Sequence, residues 1–152
     1  MRPNEWQSFY IEGRKYLSFS DSRQNLLAFR SFYWTIISGR APYLDLPAIG
    51  WDQAYSVSGR GTPQSRYRSN ALIYFESEYR IDISANGLFG AVFFANTFAP
   101  SKFDTQQFSY WHAAVGTGLR IKFNKFARTN IALDVAFSKG YGSFYIDIGE
   151  AF

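Results

Sequence analysis

A chain of 152 residues with 47% hydrophobic content can bury a core, and one domain is the default reading at this length. The absence of Cys excludes disulfide staples and thiolate metal sites, and a single histidine, His112, excludes a histidine cluster around a metal. The net charge of +4 comes from Lys and Arg scattered along the chain instead of gathered in a run, which argues against nucleic-acid binding.

No run approaches the roughly 20 apolar residues that a membrane helix needs. Yet aromatics make up 20% of the chain while its mean hydropathy is slightly negative. Alternating strands, apolar on one face and polar on the other, account for both facts. The opening segment MRPNEWQSFY lacks the apolar stretch of a secretory signal, so the expectation is a mature chain or a piece of a longer one.

Period-two alternation predicts seven strands. The first, Glu5 to Ser18, is noisy because Lys15 intrudes on its apolar face, and the second, Asn25 to Ser38, is apolar on both sides apart from Arg30 and its polar ends. A long connector, Gly39 to Ser69, follows. In the third, Asn70 to Asp82, Ala71, Ile73, Phe75, Tyr79 and Ile81 oppose Glu76, Glu78 and Arg80. The fourth is Gly87 to Thr97. The fifth, Tyr110 to Asn124, sets Trp111, Ala113, Val115, Leu119, Ile121 and Phe123 against His112, Gly116, Gly118, Arg120, Lys122 and Asn124. The sixth, Arg128 to Ser138, opposes Ile131, Leu133, Val135 and Phe137 to Arg128, Asn130, Asp134 and Ser138. In the seventh, Ser143 to Phe152, Phe144, Ile146, Ile148 and Phe152 fall on one side, with Ser143, Tyr145, Asp147 and Gly149 on the other.

These strands match or exceed the about 9 to 11 residues of a tilted transmembrane strand. Their connectors alternate in length. Phe19 to Gln24, Ile83 to Asn86 and Lys125 to Ala127 are short, whereas Gly39 to Ser69 and Phe98 to Ser109 are long. Outer-membrane barrels pair short periplasmic turns with longer extracellular loops, so the compact Lys139 to Gly142 turn falls on the outer side and Phe152 in the periplasm. The predicted fold class is therefore all-β, an antiparallel transmembrane β-barrel of the bacterial outer membrane. Single-chain bacterial barrels have even strand numbers from eight upward, and seven strands leave edges bare in lipid. The expectation is that residues 1–152 are the C-terminal part of a larger barrel, closed by further strands of the same longer chain or of another subunit, unless one more strand lies unmarked within the sequence. Trp6, Trp34, Trp51 and Trp111 fall near predicted strand ends or in a loop, as interfacial belts do, with core tryptophans of a soluble sheet as the alternative.

The loop Ser58 to Arg68 (SGRGTPQSRYR) and the strand after it (SNALIYFESEYRID) resemble the late-barrel loop and following strand of the BamA/TamA family of outer-membrane assembly proteins. GTGLRIKFN, NIALDVAF and FYIDIGEAF resemble that family's last three strands, and the likeness covers roughly Ala41 to Phe152. It implies that Arg60 and Gly61 form a loop tip folded back into the barrel lumen, with Thr62 where the family has an aromatic. It further implies that Glu76 or Glu78 holds the arginine, and that Asn96, after Phe94, stands where the family has an aspartate, its amide accepting a hydrogen bond from Arg60 without supplying charge. By the same resemblance Tyr145, Ile146, Ile148, Gly149 and Phe152 would belong to the terminal strand that the assembly machinery of such barrels reads.

The resemblance implies a protein of the Gram-negative outer membrane, non-enzymatic and without cofactor or metal, that assists insertion or translocation of outer-membrane proteins. Its partners are then membrane lipids and unfolded outer-membrane protein substrates. Two rivals stay open: a barrel serving as passive pore or membrane anchor for another domain, and a soluble ligand-binding β-barrel with apolar residues inside. Catalytic readings find little support. Glu76 and Glu78 share a face as a glycosidase pair might, but no sugar cleft accompanies them. No Gly-x-Ser-x-Gly elbow lies near His112, and the glycines at 116 and 118 precede no Lys-Ser or Lys-Thr, so they serve close strand packing instead.

Overall fold

Alternation over long segments builds long strands, and in the computed structural model they form a single antiparallel sheet. Residues 5–19, 25–50, 58–84, 87–102, 107–108, 110–124 and 129–149 are described. The strands are β1 (Gln7–Ser18), β2 (Leu26–Ser38), β3 (Ala71–Asp82), β4 (Phe89–Pro100), β5 (His112–Asn124), β6 (Thr129–Ser138) and β7 (Tyr141–Ile148). Each pairs with its sequence neighbour, so the sheet is an open meander with β1 and β7 at its edges. A 3-10 turn, Tyr43–Asp45, lies in the long connector. No described helix is long and apolar enough to cross a membrane.

The starts of β1 to β6 fall one or two residues inside the sequence expectation, and two strand ends run beyond it. β4 continues to Pro100 because Leu72 and Ile73 carry the ladder on to Pro100 and Ala99. Proline is tolerated at that strand end, where its missing N–H interrupts no further pairing. β7 begins at Tyr141 because Ser138 pairs with Tyr141 across a two-residue turn, Lys139-Gly140, in which Gly140 has φ +73°. That left-handed backbone favours glycine.

The two faces of the sheet are unlike. On one, here the open face, Phe75, Phe93, Trp111, Val115, Leu119, Phe137, Phe144, Ile146 and Ile148 are exposed. The other is covered by the returning connector between β2 and β3. Between them Phe32, Trp34, Leu72, Tyr74 and Phe98 of the sheet and Ile49 of the connector form the main core, with Tyr10 and the connector's Tyr67 packed against them. The rings of Phe32 and Tyr74 stack at 4.9 Å between centroids. The connector itself is closed by an isolated bridge between Ala48 and Arg68 and by hydrogen bonds from Ser65 N to Ile49 O (2.8 Å) and Ser69 N to Pro47 O (3.1 Å). Arg68 donates to the carbonyls of Tyr43 (3.3 Å) and Leu44 (2.6 Å).

Trp34 departs from the belt expectation. It is buried under the connector, and the apolar doubling of β2 that obscured its period arises because Phe32 and Trp34 supply the covered core while Phe29 and Ile37 lie exposed on the open face. Trp111 is exposed on the open face, and Trp51 lies outside the described residues.

Candidate functional site

The register places covered-face side chains in rows across the strands. One row runs Arg30, Glu76, Asn96, Ala114, Ser138. The next runs Ala28, Glu78, Phe94, Gly116, Ala136, and a third runs Arg80, Val92, Gly118, Asp134, Tyr145. Carboxylates on β3 and β6 thus flank a floor of Ala and Gly on β5 and β6. That floor leaves room for a side chain entering from above.

Arg60 enters it. Its guanidinium is 2% exposed, donates through Nη2 to Glu76 at 2.7 Å and through Nη1 to Asp134 at 2.7 Å, and also bonds Glu78. The Cζ atom stands 3.6 Å from the centre of the Phe94 ring, so the cation is stacked as well as paired. Burial works against its charge, but Glu76 and Glu78 outweigh burial and hold the guanidinium above its already high pKa. Arg80 pairs with Glu78 at 2.5 Å and Arg120 with Asp134 at 2.5 Å. Three guanidiniums, Arg60, Arg80 and Arg120, therefore face three carboxylates, Glu76, Glu78 and Asp134, and the cluster is formally neutral. Buried ions are tolerated on such terms, paired and hydrogen-bonded.

The tip backbone is bound as fully as its side chain. Gly59 N donates to Tyr74 Oη at 3.0 Å, and that hydroxyl donates to Glu76 at 2.8 Å. Gly61 N donates to Tyr145 Oη at 3.0 Å, while Ser138 Oγ donates to Gly61 O at 2.6 Å. Gly61 is required twice over. Its φ is +90°, and a Cβ there would lie 2.9 Å from Ala114 Cβ. Thr62 is buried and its N donates to Gly59 O at 2.9 Å, closing the tip as a turn.

Asn96 meets the tip differently from the sequence expectation. Its Nδ2 donates to the Arg60 carbonyl at 2.8 Å, so it grips the backbone rather than accepting from the guanidinium. The further charged partner is Asp134, 74 residues beyond Arg60 and absent from the residues first singled out. Its place on the polar face of the sixth strand was the available signal.

Comparison with protein-family models, curated proteins and solved structures finds no match. The site is therefore read from its geometry.

Of the terminal-strand residues, Ile146 and Ile148 project from the open face, 69% and 74% exposed. Tyr145 turns to the covered face, packs on the cluster of Val92, Phe94 and Ala136, and holds the tip. Gly149 N donates to Asn130 O at 2.8 Å, and Phe152 lies outside the described residues. Tyr145→Phe removes one hydrogen-bond acceptor and little packing, so it should cost about 1 kcal/mol. Hydrogen exchange at the Gly61 amide should accelerate while exchange in β3 and β4 stays unchanged.

Chemically the arrangement is a closed set of paired ions. Every carboxylate oxygen that could serve as base is engaged by arginine or tyrosine, and Arg60 fills the space between the acids. Among the described residues no group of His, Cys, Asp and Glu is set to hold a metal ion.

Proposed function

We propose that the chain is the C-terminal portion of a BamA/TamA-like outer-membrane β-barrel that assists insertion or translocation of outer-membrane proteins. One observation carries the membrane part of this reading: charges and hydrogen-bonding groups gather on the face that a barrel would enclose, while the other sheet surface is left bare and chiefly apolar, with Lys15 its one charge among the described strand positions. A soluble ligand-binding barrel requires the opposite arrangement, with polar groups outward. A lipid-facing strand surface requires this one.

The anchored Arg60-Gly61 tip supports the family part of the reading, because that family folds such a tip into its lumen against carboxylates of the following strands. In this reading β7 is one side of a weak seam, where an incoming strand pairs by edge addition. A pore is the less favoured role, since the connector and its tip occupy the middle of the covered face. A membrane anchor for another domain shares the architecture and differs in its contacts. Photo-crosslinking from Ile148 in the full protein during assembly of an outer-membrane substrate separates them: substrate adducts are expected, and adducts no stronger than from the open-face position Phe93 would leave only an anchor.

A further inference from the structure

Lys15 is the one charged residue among the described strand positions of the open face, and the reading above leaves it without a role. The other outward residues of β1 are Gln7, Phe9, Ile11, Gly13 and Leu17, and no described acid is recorded against its ammonium. A lone cation on a lipid-facing surface is costly in proportion to its depth, so its retention calls for a partner.

A cavity of about 650 Å³ begins beside it. Its lining is contributed by triplets from five adjacent strands, each centred on a covered-face residue such as Arg30 or Glu76 and flanked on both sides by outward ones. A hollow on the covered face would meet every second residue instead, so this one is a groove on the open face running over the backbone. Short side chains at Gly13, Ser31, Ala95 and Ala113 form its floor, and Phe29, Phe75 and Val115 stand along it. Its volume falls within the roughly 300–1,000 Å³ of small-molecule sites, and its walls are chiefly apolar.

We infer that this groove holds one phospholipid, an acyl chain lying across β1 to β5 and the headgroup phosphate paired with Lys15. Position supports the pairing. Lys15 is three residues from the end of β1 at Ser18, on the side of the sheet away from the long connector, so its flexible stem carries the ammonium to the membrane surface there. Apolar length and a single cation at one end match a lipid's tail and phosphate. An anionic headgroup is preferred over a zwitterionic one, because the latter brings its own ammonium to compete for the phosphate.

The inference rests on the membrane reading. Its test is native mass spectrometry of the full-length protein released from nanodiscs of equal phosphatidylglycerol and phosphatidylethanolamine, with Lys15→Gln and Ala95→Phe beside the wild type. The expected result is one retained phosphatidylglycerol, favoured about fivefold, a preference lost in Lys15→Gln, and retention lost altogether in the groove-filling Ala95→Phe. Equal retention in all three proteins, or a protein or second copy of the chain held in place of lipid, overturns it. Carbonate extraction of the same proteins keeps the two ideas apart: variants that stay in the membrane pellet while lipid retention is indifferent refute the groove alone, whereas release of the wild type refutes the membrane reading as well.

Discussion

Arg60→Ala should lower stability by about 3–5 kcal/mol, the usual cost of removing one partner from a buried ion network. The reason is what remains. Glu76, Glu78 and Asp134 lose their shared cation, leaving three buried carboxylates to two guanidiniums, Arg80 and Arg120. The ring of Phe94 loses its stacked partner, and the tip loses its only side chain reaching between β3 and β6. Heat-modifiable migration should shift to lower temperature, and the 39–69 connector should become open to protease. Arg60→Lys should rescue only part of the loss, since a single ammonium cannot span three carboxylates as a planar fork does. A wild-type transition with intact loop protection in Arg60→Ala would refute the anchoring role.

Gly118→Val should be nearly as severe, about 3 kcal/mol, although the residue makes no charged contact of its own. Gly118 lies opposite Asp134 across the β5 and β6 pair, and any Cβ there would meet the Asp134 carboxylate and stand 2.8 Å from the Leu133 carbonyl. Backbone cannot yield cheaply, so Asp134 must turn away from both Arg60 and Arg120. The two substitutions therefore damage one network. Their combined cost in urea unfolding should fall short of the sum by at least about 1 kcal/mol, as expected of residues sharing a partner. Gly140→Ala is a useful contrast. A Cβ there meets nothing within 4 Å, so only its left-handed backbone resists and the loss should stay near 1 kcal/mol.

The strands were legible because alternation is written locally, residue by residue. At and just before β5 the outward series Trp111, Ala113, Val115, Leu119 could be read without any neighbour, and all four are exposed on the open face. β2 was harder, since its covered face is aromatic where the connector returns, and nothing within thirteen residues distinguishes Trp34 under a loop from Trp34 at a membrane surface. The site divides along the same line. Glu76 and Glu78 follow the tip closely enough to be found from the resemblance alone. Asp134 required the sheet register, which aligns it with Gly118 and Tyr145 and cannot be read from one strand. For Asn96 the expectation was an amide accepting from the Arg60 side chain, whereas its Nδ2 donates to the Arg60 carbonyl, a matter of backbone direction in the tip turn.

That the apolar face meets lipid and the charged face meets protein and water is the central claim, and the natural absence of cysteine makes it directly measurable. Single cysteines at positions 115 to 121, spin-labelled in the full-length protein reconstituted into vesicles, report collision with oxygen from the bilayer and with a nickel chelate from water. The account predicts an alternating pattern, with Val115, Thr117, Leu119 and Ile121 open to oxygen and closed to the chelate, and Gly116, Gly118 and Arg120 without the oxygen maxima. Chelate access at Val115 and Leu119 equal to that of a water-exposed loop site such as Leu44 would contradict it.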